Sequence, residues 1–209
     1  MRTVELIQFL CEDHEKIDLI MKEMQKMRIN DEIKDTLIFV EHPEIVTIGP
    51  KAKKEKIFPP EDYPRRLVDR GGGLTWHGPG QLVVYPVFKW DLKGEDNIKK
   101  IITKLEEWVI NAFAELGIVG IRDSRMRGVW VNGNKVASIG LSFLKWVSRH
   151  GLSINYNTPK GRVELLEGCG LDAGITSSLA ANNYLTNRKE IEKALIKKIS
   201  ILDRNLKNN

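Results

Sequence analysis

Cysteine is scarce in this chain: Cys11 and Cys169 are the only thiols among 209 residues. Two thiols so far apart make no disulfide framework. No C-x-x-C or H-x-x-x-H pair offers metal-ligand spacing, so neither a metal nor a cofactor is expected. Long apolar runs are also missing. The longest, Leu82 to Phe88, falls far short of the roughly 20 apolar residues a membrane-spanning helix needs. Met1 to Leu10 breaks its apolar positions with Glu5 and Gln8, so it has no signal-peptide core, and a cytoplasmic location with no membrane partner is the expectation. Charge of one sign is limited: 33 basic against 28 acidic residues leave +5. That excess and the absence of a recognised motif argue against a nucleic-acid partner. What remains, 42% hydrophobic and 29% charged, is the composition of one globular domain over residues 1–209.

The patterning that is present mixes strands and helices. Thr3 to Leu10 reads as a first strand. Asp13 to Met27 follows with apolar residues at 17, 20, 24 and 27 and Asp13 as a cap, which predicts a helix with Cys11 buried just before it. Thr36 to Val40 and Ile45 to Ile48 are short β-rich runs. Lys51 to Arg66, polar and with three prolines, reads as an exposed loop. Leu82 to Phe88 reads as a central strand buried on both faces, bending or ending at Pro86. Asn97 to Leu116 carries a long 3.6-residue apolar stripe stopped by Gly117. Gly128 to Val131, Lys135 to Phe143 and Trp146 to Ile154 are β-like, the first two joined by the hairpin pair Asn132-Gly133. Asn187 to Leu202 is a terminal amphipathic helix. Interspersed rather than alternating elements predict an α/β (α+β) fold with a mixed sheet.

Four segments stand out chemically. In Arg70-Gly71-Gly72-Gly73-Leu74-Thr75-Trp76-His77-Gly78-Pro79-Gly80-Gln81, five glycines and a proline surround Arg, Thr, His and Gln. Such backbone lets a ligand approach closely, and the spacing fits no nucleotide-binding motif. Lys135-Val136-Ala137-Ser138-Ile139-Gly140 begins a strand with a lysine that is either a solvated turn residue or a tunable amine at a buried site. His150-Gly151-Leu152-Ser153-Ile154-Asn155 interrupts a strand-like stretch with small residues, which implies close approach of something to its backbone, while His150 by itself reads as a structural, hydrogen-bonded histidine. In Glu167-Gly168-Cys169-Gly170-Leu171 a cysteine lies between glycines, a context as good for a reactive thiolate as for an inert loop thiol. Spacing alone does not bring Lys135 and Cys169 together.

Taken together, these segments closely resemble the octanoyltransferase (lipoyl(octanoyl) transferase) family. Arg70 to Gln81 matches the fixed positions of its R-G-G-x-x-T-x-H-G-P-G-Q signature. Gly128-Val129-Trp130, Lys135 to Gly140, Trp146 to Asn155, Cys169-Gly170-Leu171 and Ile175 to Ser178 match its later blocks in order. The likeness spans roughly residues 4 to 180. There are two departures: Gly168 stands where the family usually has proline, and Thr158-Pro159 where it tends to have Asp-Leu.

The resemblance implies a mixed β-sheet flanked by helices, as in the catalytic domains of lipoate ligases and biotin protein ligases. It implies transfer of octanoyl from octanoyl-acyl carrier protein to a lysine of a lipoyl domain of 2-oxoacid dehydrogenases or of the glycine-cleavage H protein. It makes Cys169 the nucleophile and Lys135 its activating partner. It puts substrate contacts at Arg70, Gly71, Gly72, Gly73, Leu74, Thr75, Trp76 and His77, at Ser138, Ile139 and Gly140, and at Gly151, Leu152 and Ser153. The seven basic residues between Lys51 and Arg70, set against four acids, then become a docking surface for an acidic carrier. The rivals are an octanoyl amidotransferase acting between lipoyl-carrier proteins, an ATP-dependent lipoate ligase with no need of Cys169, and a non-catalytic basic module binding an acidic protein.

Overall fold

A computed structural model describes residues 1–166 and 174–207. The chain opens with β1 (Arg2–Gln8) and α1 (His14–Ile29). The Asp13 carboxylate accepts the amides of Glu15 and Lys16 at 2.7 and 3.3 Å and so fixes the helix start. Cys11, expected to be buried at that start, is exposed; it falls in the turn before the cap, outside the helix's apolar stripe. Next come β2 (Asp35–Val40), β3 (Ile45–Ile48), α2 (Pro50–Glu55), β4 (Arg65–Leu67), β5 (Leu74–His77) and β6 (Gln81–Val87). The expected loop at 51–66 is therefore partly ordered as α2 and the start of β4. Pro50 at the first helical position is already set to helical φ, and Ala52 and Tyr63 are buried in the small core described below.

The second half holds α3 (Ile98–Glu115), β7 (Ile121–Asp123), β8 (Met126–Val131), β9 (Asn134–Leu144), β10 (Val147–Asn155), α4 (Arg188–Lys197) and β11 (Arg204–Leu206). Asn132 and Gly133 have φ of 50° and 81°, the two positive values a tight hairpin turn needs. Lys145 and Trp146 take the same role between β9 and β10, with φ of 46° and 62°. Trp146 is thus a turn residue rather than the first residue of a strand. The terminal helix stops at Lys197, short of the expected Leu202, and Ile199–Leu202 continues as a 3₁₀ turn. Ile199 and Leu202, three apart, share a face in the tighter helix and are buried by it.

The main sheet has eight strands in the order β11-β1-β2-β6-β10-β9-β8-β7. β1 runs parallel to β11 and β2; the other neighbours are antiparallel. β2 and β6 are buried throughout, as an apolar run without alternation requires. Leu37, Phe39, Leu82 and Val84 pack with Ile101, Leu105, Trp108 and Phe113 of α3 and Leu195 of α4 on one face. Ile38, Val40, Val83 and Tyr85 pack with Ile17 and Met21 of α1 on the other. A second sheet, β4-β3-β5, has its own core around Val46, Ile48, Trp76 and Leu166.

Candidate active site

The Gly-rich segment is organised from Arg70 outward. Its buried guanidinium reaches back to the small sheet and curls the loop around itself. Nη2 donates to the Thr47 carbonyl (3.0 Å), Thr47 Oγ1 (2.8 Å) and the Gly73 carbonyl (2.9 Å), and Nη1 donates to the Gly71 carbonyl (3.1 Å). The Gly71 amide then ties the loop to β9 through the Leu141 carbonyl at 2.9 Å. At Gly140 a Cβ would lie 2.8 Å from the Gly71 carbonyl oxygen, so glycine lets loop and strand close up. The continuation, Leu74–His77, is β5, a strand the glycines hid from pattern reading.

This loop forms one wall of a cavity of about 490 Å³. Every residue expected to contact substrate lines it: Arg70 to His77, Ser138 to Gly140, and Gly151 to Ser153. Lys135 lines it too. So do residues not expected as substrate contacts: His14 from α1, Val83 and Tyr85 from β6, Asn155 from β10, and Ile98 and Ile102 from α3. Gln81, Val83 and Tyr85 share a face by strand periodicity, a signal present in the sequence. His14 carried none, because it arrives from a distant helix end.

Lys135 is buried at a bulge. Val129 pairs with Ala137 and the next residue, Trp130, pairs with Lys135, so β9 carries one extra residue there. Bulges re-aim side chains at strand ends. Gly128 has φ of 133°, and a Cβ on it would meet Lys135 Cε at 2.7 Å, so the missing side chain leaves room for the lysine stem. Cys169 lies outside the described residues, within 167–173. The residues that flank this stretch are near the cavity: Leu166 and Thr176 line it, and the Gly174 amide donates to the Glu164 carbonyl at 2.7 Å. Downstream, the Lys135 amide donates to the Ile175 carbonyl (2.9 Å), and the Ser177 amide donates to the Lys135 carbonyl (3.0 Å).

The polar end of the cavity gathers histidines. The rings of His14, His42 and His77 lie with centroids 5.1 to 5.8 Å apart. Burial holds all three below the ordinary imidazole range, His14 to about 3. His42 Nε2 is 2.8 Å from the Tyr85 hydroxyl, whose own pKa burial pushes up. Among the described residues no group of His, Cys, Asp or Glu is arranged to hold a metal ion. His42 and His77 already spend both ring nitrogens on Glu12, Tyr85, Gln81 and Thr47. His150 Nε2 pairs with Asp69 Oδ1 at 2.8 Å, the structural role its position suggested. That hydrogen bond, with the nearby Arg149, holds the Asp69 carboxyl below its usual range. The assembly is a half-open pocket with a largely apolar lining, neutral imidazoles beside it and a buried primary amine in its wall. Such a site suits a small apolar ligand with one reacting polar end.

A model of the lipoyl protein ligase A/B catalytic domain matches residues 19–199. An octanoyltransferase of Caldicellulosiruptor saccharolyticus is 38% identical over 167 residues, covering 76% of this chain and 71% of the relative. One of Rubrobacter xylanophilus is 40% identical over 167 residues, covering 76% and 74%. Among solved structures, a bi-partite lipoate protein ligase from Thermoplasma acidophilum superposes with a TM-score of 0.71 at 16% identity, covering all of this chain and 87% of that one. The biotin protein ligase of Aquifex aeolicus gives 0.57 at 15% identity, covering 95% and 68%. These two likenesses bear on the fold, and they agree with the expected mixed sheet flanked by helices.

Proposed function

The chain belongs to the lipoyl protein ligase A/B catalytic-domain family and is an acyltransferase, and from that premise we propose that it performs octanoyl transfer in protein lipoylation. The donor in this proposal is octanoyl-acyl carrier protein. The acceptor is a lysine of a lipoyl domain or of the glycine-cleavage H protein. The Cys169 thiolate attacks the donor thioester carbonyl, expels the carrier thiol and holds the octanoyl group as a new thioester. The neutral amine of the acceptor lysine then attacks that carbonyl, the amide forms, and Cys169 leaves as thiolate. Two thioester-level steps replace one harder transfer. The Lys135 ammonium favours the thiolate and gives its proton to the departing carrier sulfur; the free amine it becomes takes the proton from the incoming lysine.

The observation that carries this reading is the hydrogen-bonded return of the chain just after Cys169 to the backbone of Lys135, at the cavity wall. The substrate side is supported by the cavity. Its volume of about 490 Å³ lies in the usual range for small-ligand sites. Six methylenes of an octanoyl chain contribute roughly 5 kcal/mol when buried. The basic stretch beginning at Lys51, itself at the cavity edge, is the proposed docking surface for the acidic carrier.

Intact mass spectrometry tests the proposal. Incubation with octanoyl-acyl carrier protein is expected to add one octanoyl group to the wild type and none to Cys169→Ala. Lys135→Met is expected to slow that addition by at least a hundredfold. A lipoyl domain added next should collect the group. Transfer that appears only with ATP and free octanoate, and survives Cys169→Ala, overturns the proposal in favour of a ligase. An octanoylated H protein acting as a better donor than the carrier makes the enzyme an amidotransferase.

A further inference from the structure

A line of buried polar side chains runs from the acyl-pocket wall to Lys135. Thr47 Oγ1, which accepts from Arg70, lies 3.3 Å from His77 Nε2. His77 Nδ1 lies 2.7 Å from Gln81 Oε1. Gln81 Nε2 donates to the Trp76 carbonyl and to Asn155 Oδ1, both at 2.8 Å. Asn155 Nδ2 donates to the Ser177 carbonyl at 2.9 Å, and the Ser177 amide donates to the Lys135 carbonyl. Gln81 and Asn155 face each other directly across β6 and β10. His77, Gln81, Asn155, Ser177 and Lys135 are all buried. Each amide is used in one sense only, oxygen toward the donor before it and nitrogen toward the acceptor after it, so the line has a fixed direction.

The stretch 175–178 is thus gripped from two sides, by the Lys135 backbone on β9 and by Asn155 on β10. Asn155 holds both its edges: the side chain takes the Ser177 carbonyl, and the main-chain carbonyl takes the Leu179 amide at 2.9 Å. We infer that Asn155, oriented by Gln81 and His77, is a positioning residue that sets the register of this stretch against Lys135 and so the approach of Cys169 to the lysine. The inference rests on the proposed role of Cys169, which lies six residues before Ile175 in the chain. Buried amide pairs suit such a task, because leaving either partner unmet is costly and only one arrangement satisfies them all.

The test compares wild type with Asn155→Ala and the isosteric Asn155→Asp, whose carboxylate cannot donate to Ser177. Three quantities are read: the single-turnover rate of Cys169 octanoylation, the pH midpoint of its alkylation by iodoacetamide, and hydrogen exchange of the peptide covering 174–179. The expected result is octanoylation at least tenfold slower, donor KM changed less than twofold, an alkylation midpoint moved up by about one unit toward that of an ordinary thiol, and faster exchange at 174–179. A merely structural asparagine would lower stability without moving the alkylation midpoint, and that outcome overturns the inference. A raised KM with unchanged octanoylation rate at saturation also overturns it, by making Asn155 a substrate contact only. If wild-type Cys169 takes no octanoyl group, the proposed function has failed instead. The exchange measurement still decides the grip, since unchanged protection in both variants rules it out.

Discussion

Two strand glycines, Gly151, read in the sequence as a place where something nears the backbone, and Gly140, a contact implied by the family resemblance, show how one residue type answers two demands. At Gly151, which does line the cavity, an added Cβ would lie 2.0 Å from the Val84 carbonyl oxygen and 2.6 Å from Pro86 Cδ. At Gly140 the close neighbour is the Gly71 carbonyl. In both places protein backbone approaches as closely as any ligand. A Gly151→Ala chain must therefore push β6 and β10 apart at the centre of the main sheet. Overpacking of this kind costs about 1–3 kcal/mol, and the expected outcome is a lower urea midpoint with an unchanged slope. A variant within 0.5 kcal/mol of wild type, a margin typical of unconstrained surface changes, would mean that the sheet absorbs the methyl group without strain. Lys135 was visible as a lysine at a strand start. The bulge and the glycine that make room for its stem were not, since both depend on which residue of β8 lies opposite.

At the scale of elements, long periodic segments were legible and most short paired ones were not, the exception being Ile45–Ile48, whose four residues are all β-branched. α1, α3 and β6 declared themselves through apolar spacing, because each buries a whole face or both faces. β4, β5, β7 and β11 have three or four residues each, too few for a period, and they owe their existence to the strand beside them. The helix α2 was masked by lysines. It buries Ala52 and leaves Lys51, Lys53 and Lys54 exposed, and the Lys51 amide hangs on the Gly72 carbonyl of the cavity loop. A basic helix attached to the cavity wall would suit the acidic carrier of the proposed function. Lys53→Glu with Lys54→Glu is expected to raise KM for octanoyl-acyl carrier protein at least fivefold at low salt and to flatten its salt dependence, since exposed charges act through a screened field. Turnover of octanoyl-pantetheine, which has no protein surface, should be unchanged within twofold. Equal losses with both donors would place the effect in the pocket rather than in docking.

Across the whole molecule the histidines join parts that the sequence keeps separate. His14 begins α1, His42 follows β2, and His77 ends β5 of the small sheet. Their rings meet beside Tyr85 of the main sheet. His77 stood out only within its own Gly-rich segment and His14 and His42 not at all, because only the packing of two sheets and a helix brings them together. The cluster has a consequence for stability. Folded, the three rings are held neutral by burial, His14 down to about 3; unfolded, a histidine titrates near 6.5. Between those values the unfolded chain binds more protons, so the stabilisation is complete above about pH 6.5 and is lost as the pH falls. For His14 the loss approaches about 1.4 kcal/mol per pH unit across that window, and His42 and His77 add to it in the same direction. The Asp69 shift acts only near and below the ordinary carboxylate range, so the histidines alone govern the upper part of the acid limb among the shifts described. Urea midpoints taken from pH 8 to pH 5 should hold steady at first and then drop steeply below about 6.5. His14→Leu removes one of the three groups, and its Nδ1 makes no hydrogen bond that the change would break. That variant should fall less steeply than wild type over the same pH range, by up to about 1.4 kcal/mol per pH unit. A wild-type midpoint flat down to pH 5 would show that the rings take up protons within the fold, and that the buried neutral cluster does not describe the chain in solution.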